Sequence, residues 1–291
     1  MLVDVIKAII FGIIEGICEW LPVSSTGHII LLGDLLSFEA VSGKGAEFAA
    51  EYSEMFDFVI QLGAIMAVVF LYFGRLNFLS RAKSRGEKRE IFSLLGRLVV
   101  ASVPAVVIFI VADKLFEAIF GRDINEIFYN SVSVASMLVL YGLLFLFAEY
   151  FSVKGEKERE IGVKEAFFIG CFQALSIIPG TSRSGATILG ARLLGVSREK
   201  AAEFSFLLAV PAIAGASLLG SVDFVSFVSE NQVSVPFALI MLLLVASFVA
   251  FLVSMATIKA LVAFVKKRSF ASFGIYRIAL GVTVLLLGFG R

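Results

Sequence analysis

The stretch Glu15-Gly16-Ile17-Cys18-Glu19-Trp20-Leu21-Pro22-Val23-Ser24-Ser25-Thr26-Gly27-His28 places two acids, three consecutive hydroxyls and a histidine inside strongly apolar sequence. A second stretch, Pro179-Gly180-Thr181-Ser182-Arg183-Ser184-Gly185-Ala186-Thr187, has the same outline. In each, an apolar helical run leads to a Pro, a hydroxyl-rich turn, a Gly and a short second apolar run. The rest of the chain reads as the scaffold that brings these two turns together inside a membrane.

The surrounding composition supports a membrane setting. Of 291 residues, 59% are apolar, against about 45–50% in soluble domains. Mean hydropathy is +0.97. Open sheets cannot satisfy their edges in lipid, so helices are expected, and the alternation of a transmembrane barrel is absent. A net charge of +1 gives no case for nucleic acid. Cys18 and Cys171 sit in apolar runs and suggest neither a disulfide framework nor a metal cluster. Asp4 and Lys7 interrupt the first segment, and no cleavable signal peptide is evident.

Six runs are long enough to span a bilayer: about 55–73, 91–111, 127–148, 201–219, 235–262 and 273–289. Basic residues orient them. Arg75, Arg81, Lys83, Arg85, Lys88 and Arg89 mark 74–90 as cytoplasmic. Lys154, Lys157, Arg159 and Lys164 do the same for 149–165, and Lys266, Lys267 and Arg268 for a third turn. Segments 37–54 and 220–234 read as external. After Pro22, the run Gly27 to Leu36 has 10 residues, about 15 Å as helix and half a hydrocarbon core. The arms around Pro179 are also short. Both stretches therefore read as re-entrant hairpins, the first from outside and the second from the cytoplasm; two pairs of short or tilted spans, ten in all, is the alternative.

The halves repeat. Gly12 and Glu15 align with Gly170 and Gln173, Pro22 with Pro179 after a one-residue slip, and Phe56-Asp57-Phe58 with Phe204-Ser205-Phe206. Their opposite orientations make this an inverted repeat. The expected fold is an all-α integral membrane protein with six transmembrane helices and two re-entrant helical hairpins. It forms one membrane domain over 1–291, with 1–150 and 151–291 as the repeats. Broken helices at matching places in inverted halves point to a midplane site.

Glu15 and Glu19 stand at i and i+4 on one helix face, with Gly12 and Gly16 forming a small-residue stripe for close packing. Carboxylates at that depth are functional by default. Two of them suit Mg²⁺ or Ca²⁺ or acid–base work; structural hydrogen bonding to neighbouring helices is the plainer reading. Ser24, Ser25 and Thr26 have N-cap composition, yet three hydroxyls exceed what a cap needs, and Thr181, Ser182 and Ser184 repeat the pattern. Two helix N-termini entering the membrane from opposite sides make an anion site. Arg183 offers a fork suited to phosphate; a structural salt bridge to Glu15 or Glu19 is its plainer role. His28 is the chain's one histidine. A lone His on an apolar face is commonly a core residue, but three residues after Ser25 it suits the base of a Ser nucleophile. His28 as nucleophile stays open. Asp34 and Arg192 read as structural.

These motifs resemble the two signatures of the undecaprenyl-diphosphate phosphatase, or bacitracin-resistance, family, and the likeness extends through Phe-Ser-Phe-Leu-Leu-Ala-Val-Pro at 204–211. The resemblance implies removal of one phosphate from the polyprenyl diphosphate lipid, giving the carrier lipid for cell-wall synthesis. It implies a divalent cation, and an active site on the external side of the bacterial inner membrane, where bacitracin competes for the substrate. It maps the paired acids onto Glu15 and Glu19, the hydroxyl run onto Ser24, Ser25 and Thr26, and the histidine onto His28. The second motif maps onto Ser182, Arg183, Ser184 and Thr187. Cys18 stands where a small hydroxyl residue is expected between the glutamates.

The expectation is thus a membrane phosphatase: Ser25, His28, Glu19 and Arg183 catalytic; Ser24, Thr26, Ser182, Ser184 and Thr187 substrate-binding; Glu15 and Glu19 metal-holding. Partners are membrane lipids and no nucleic acid, with a homodimer left open. A lipid flippase or secondary transporter of the same architecture is the rival, because inverted repeats with broken helices are common in transporters. Ser-x-x-His and paired carboxylates favour the hydrolase, since transport needs no nucleophile.

Overall fold

The structure is a computed structural model that describes residues 1–25, 27–28, 38, 41, 44–77, 83–122, 124–152 and 159–287. Thr26, Asp34, Arg81, Lys154, Lys157 and the arm 29–37 lie outside these described residues.

The described residues form helices joined by turns, with no strand among them. The helices are α1 (Leu2–Cys18), α2 (Ala46–Leu76), α3 (Arg85–Phe120), α4 (Ile124–Phe128) and α5 (Ser131–Ser152), then α6 (Val163–Ala174), α7 (Arg183–Leu193), α8 (Arg198–Glu230), α9 (Phe237–Val265) and α10 (Ala271–Leu287). A 3₁₀ turn, Leu175–Ile177, follows α6. Five of these, α2, α3, α5, α8 and α9, are long and apolar enough to cross a membrane, and the apolar α10 is shorter. The protein is therefore a multi-pass helical membrane protein. The helices outrun the apolar runs in the sequence. The segment 220–234, which reads as an external loop, is mostly helical: α8 continues to Glu230, and only Asn231–Pro236 joins it to α9. Its serines and Asp223 lower the hydropathy, but no Pro or Gly interrupts the backbone from Ser221 to Glu230.

Packing pairs elements from the two halves of the chain. Helix α1 lies along α9 and α6 along α3; α5 packs on α10, and α2 on both α8 and α9. Glycines permit the two outer pairings. A Cβ on Gly12 would strike the Ala246 carbonyl of α9, and one on Gly170 would strike the Ala101 carbonyl of α3. Backbones this close leave room for no side chain, the small-residue contact that joins helices in lipid. Gly16 extends the first contact to Ala250 and Val253.

The basic ends gather on one side. Arg75 at the end of α2 pairs with Glu203 of α8 at 2.8 Å, and Lys266 after α9 pairs with Glu199 at 2.8 Å. Lys200 meets Glu160 at 2.6 Å. At the entry to α3, Ser84 and Glu87 form a reciprocal cap; the hydrogen bonds from Ser84 hold the Glu87 carboxyl below the ordinary carboxylate range. At the other side, Lys44 donates to the Ser234 carbonyl at 3.1 Å. The main core lies nearer the basic end and includes Trp20, Phe145, Phe206 and Phe270. A second, aromatic core of Phe11, Phe38, Phe48, Tyr52, Phe56 and Phe224 lies beyond the turns. Trp20, from the first turn, meets Phe206 of α8 edge-on at 5.4 Å. The first turn is thereby fixed against the second half.

Candidate active site

Two serines with positive φ create the site. Ser24 has φ 72° and Ser182 has φ 69°; Gln232 is the third such non-glycine among the described residues. L-residues reach this region at a cost of about 1–3 kcal/mol, so the surroundings must enforce it. Each serine turns the chain into a new helical start. Ser24 Oγ accepts from the Gly27 N–H at 3.2 Å, and Ser182 Oγ accepts from the Gly185 N–H at 3.1 Å. These are N-caps, so both serines fill the plainer role that the sequence allows them. The match also sets the register of the motifs: Ser25 corresponds to Arg183.

Both of those residues converge on Glu19. Ser25 Oγ donates to Glu19 Oε2 at 2.9 Å. Arg183 donates to Glu19 Oε1 from Nη2 at 3.0 Å and Nε at 3.3 Å, and from Nη1 to the Ser205 carbonyl at 2.9 Å. Glu19 is buried. A carboxylate that shares its two oxygens between a serine hydroxyl and an arginine fork is held in one orientation. Ser184 Oγ donates to the Leu21 carbonyl at 3.3 Å and lies 3.2 Å from Ser182 Oγ. Thr187 Oγ1 lies 2.6 Å from Ser205 Oγ. The second motif thus closes on the first through Arg183 and Ser184, while Thr187 braces α7 against α8.

His28 does not take the place expected for it. Its Nδ1 lies 2.7 Å from the Ser24 carbonyl and its Nε2 lies 2.7 Å from the Tyr276 hydroxyl. The Ser25 hydroxyl is directed at Glu19 instead. Glu15 is buried one helical turn behind Glu19, and neither of its carboxylate oxygens has a hydrogen-bond partner. Asp57 of α2 is near enough to Glu15 to act on it electrostatically. Cys18 is buried and free. Arg192 is structural, as its position suggests: it pairs with Glu149 at 3.0 Å, and Arg198 takes the other Glu149 oxygen at 2.8 Å.

Two adjacent residues of α10 complete the arrangement, and motif reading passes over both. Arg277 is wholly buried. Its Nη1 donates to the Pro22 carbonyl at 3.1 Å, and its Nη2 to the carbonyls of Gly180 at 2.8 Å and Thr181 at 3.0 Å. The guanidinium sits over the Tyr141 ring, 5.4 Å from its centre, a cation–π contact. One side chain therefore ties the two turns together. The Tyr276 ring lies parallel to that of His28, with ring centres 5.8 Å apart. Arg277 is a cation inside an apolar run, the same signal that marks Glu15 and Glu19.

Fold and site define a class: a polytopic helical membrane protein whose two broken segments hold a serine, an acid and an arginine in hydrogen-bond contact. Residues 8–283 match the family described as Bacitracin resistance protein BacA, and the chain belongs to that family. Undecaprenyl-diphosphatases of Streptococcus pyogenes serotype M1 and of serotype M3 strain MGAS315 are each 44% identical to it over 293 aligned positions, covering 99% of this chain and 98% of theirs.

Proposed function

We propose that this chain hydrolyses undecaprenyl diphosphate to undecaprenyl phosphate and inorganic phosphate. The observation that carries the reading is the contact of Ser25 and Arg183 with the two oxygens of Glu19, in a chain similar over its full length to proteins named for that reaction. A flippase or transporter would need no serine aimed at a carboxylate and is not favoured.

In the first step Ser25 Oγ attacks the terminal phosphorus. Its proton passes to Glu19 Oε2, and the bond from phosphorus to the bridging oxygen breaks, releasing the lipid monophosphate. A neutral serine needs such a base; Glu19 takes this part in place of His28. Arg183 and the N–H groups of the two capped helix starts carry the charge spread over the phosphoryl oxygens. In the second step water attacks the phosphorus of phosphoserine and gives a proton to His28. The bond from phosphorus to Ser25 Oγ breaks, Oγ recovers the proton held by Glu19 Oε2, and inorganic phosphate leaves, His28 returning its proton to phosphate or solvent. Ser24 and Ser182 fix the backbone of the turns. Ser184 and Thr187 hold the second turn where Arg183 can reach both the acid and the phosphate, and Thr26 belongs to the same hydroxyl run.

The residues present fit a hard divalent cation. Glu15 has two buried oxygens without protein partners. No closed group of three His, Cys, Asp or Glu side chains forms among the described residues. Mg²⁺ is commonly held by one or two carboxylates with the rest of its shell from water and phosphate. Glu15, with the remaining lone pairs of Glu19, would hold the ion, and Mg²⁺ or Ca²⁺ there would neutralise diphosphate charge.

The finer architecture belongs to the same proposal. α1 with the first turn and α6–α7 with the second are read as re-entrant hairpins of an inverted repeat, 1–150 against 151–291. The matched serines, the matched glycines and the crossed pairings α1–α9 and α3–α6 support it. The basic end is taken as cytoplasmic, in a bacterial inner membrane with the site open externally, the prenyl tail between spans, and bacitracin competing for the lipid. A homodimer is compatible with this arrangement. The test is phosphate release by purified protein from C55 diphosphate, with and without chelator. Metal-dependent release is expected, and binding without release would sink the phosphatase reading.

A further inference from the structure

The two hydrogen bonds of His28 fix its tautomer. The Ser24 carbonyl only accepts, so the Nδ1 beside it, at 2.7 Å, carries the proton. In the neutral ring the lone pair is then on Nε2, and the Tyr276 hydroxyl, 2.7 Å away, is its donor. The single basic nitrogen of the only histidine is therefore covered by a phenol. The two rings lie parallel to within 1°, their planes no farther apart than the 2.7 Å hydrogen bond that joins them. Tyr276 is itself partly exposed, at 45%, whereas its neighbour Arg277 is buried and bonded to both turns. The backbone under Tyr276 is thus fixed, and its hydroxyl end is the part that can change partner.

We infer that Tyr276 is a further residue of the active site: its hydroxyl closes His28 Nε2 in the resting protein and moves to a phosphoryl oxygen when phosphate enters the turns. The shift opens Nε2 to the water that releases phosphate from Ser25. A phenol donates more strongly to an anionic oxygen than to a neutral ring nitrogen, so the incoming phosphate itself supplies the drive. No covalent bond changes in this exchange. The role assigned to phosphate rests on the phosphatase reading above, but the resting hydrogen bond does not.

With one histidine in the chain, protein grown on ¹⁵N-labelled histidine gives one imidazole, and both nitrogens can be followed by NMR in detergent. Wild-type protein should show protonated Nδ1 and unprotonated, hydrogen-bonded Nε2. Tyr276→Phe should move Nε2 towards the position of a free basic nitrogen and leave Nδ1 in place, which also shows that the turn is folded. Inorganic phosphate should move Nε2 the same way in wild type and have little effect in Tyr276→Phe. Turnover of the lipid diphosphate by Tyr276→Phe should fall roughly ten- to a hundredfold in kcat, the worth of one hydrogen bond to a charged group. A protonated Nε2 in wild type, or an Nε2 signal indifferent to Tyr276→Phe, would overturn the inference. So would normal kcat in a variant whose Nε2 has moved, because the hydroxyl would then have no part in the reaction. A wild-type protein that hydrolyses nothing would count against the phosphatase reading and leave the nitrogen assignment standing.

Discussion

At the first turn Ser24 has φ 72° and caps Gly27; at the second Ser182 has φ 69° and caps Gly185. The backbones match, but the side chains do not. The residue after the cap is Ser25 in one and Arg183 in the other, and both reach Glu19. One turn before the break, the first half carries Glu15 and the second carries Gln173; the carboxylate oxygens of Glu15 and Oε1 of Gln173 are buried without partners. Burial of an acid and burial of a neutral amide have very different costs. If the halves are the inverted repeat proposed above, the turns have been kept and the chemistry divided: the proposed nucleophile and acids on one side, the proposed anion anchor on the other. On the same reading, the described residue that answers Arg277 is uncharged. The facing α5 places buried Phe145 near the Gly142–Gly274 crossing, so one half alone supplies the side chain that joins the turns.

The largest effect should come from the side that carries the chemistry. Ser25→Ala and Glu19→Gln should each lose at least roughly a thousandfold in kcat, and the double variant should be little worse than either, as groups acting together are not additive. Steady-state assays of the three proteins check this; additive losses would separate Glu19 from Ser25. His28→Ala should behave differently. It should release one equivalent of lipid monophosphate in a burst and then stall, because only the second step uses the imidazole.

The anion side should be less sensitive. Arg183→Lys keeps the charge but cannot hold Glu19 and the Ser205 carbonyl with one planar fork. Its kcat should fall roughly a hundredfold, within the range for removing one donor to a developing charge. Wild-type turnover in a folded Arg183→Lys protein would reduce the side chain to a point charge.

Arg277→Met should act on both turns at once. It leaves the carbonyls of Pro22, Gly180 and Thr181 short of a donor, at a cost on the order of 3 kcal/mol. Thermal unfolding in detergent should register the loss, and activity should fall with it. Unchanged stability would mean that the turns hold their positions without the clamp.

The mildest change should be the one that makes the halves alike. Glu15→Gln copies the second half into the first. It should weaken the apparent affinity for Mg²⁺ or Ca²⁺ in a chelator titration, while saturating metal recovers most of the rate. The reverse exchange, Gln173→Glu, should add no metal dependence. Identical metal titrations in Glu15→Gln and wild type would remove Glu15 from the cation site.

Much of this was legible in the chain. Proline, hydroxyls and glycine located both breaks, and the Gly12 and Gly16 stripe anticipated the close contact of α1 with α9, which Gly170, aligned with Gly12, repeats between α6 and α3. Lysines and arginines marked the end where Arg75, Lys200 and Lys266 pair with glutamates. The partner of Ser25 was not legible. Helical spacing puts His28 one turn after Ser25, but spacing does not say which partner each side chain takes: Ser25 donates back across the left-handed Ser24 to Glu19. The imidazole is held by the Ser24 carbonyl instead. Tyr276 and Arg277 were hidden for another reason: they lie in a run that reads as an ordinary span, far in sequence from either motif. Arg277 could have been found by the rule that made Glu15 and Glu19 conspicuous, that an ion inside a membrane span needs a partner.

The central claim is that Ser25, activated by Glu19, makes the bond to phosphorus. A single turnover of undecaprenyl diphosphate labelled in its terminal phosphate, run with His28→Ala protein and quenched in acid, tests it most directly. The account predicts acid-stable label that accumulates to about one equivalent and maps by mass spectrometry to Ser25. Lipid monophosphate released with no label on the protein, or a variant in which no bond to the bridging oxygen breaks, would contradict it and return the attack to water or to His28.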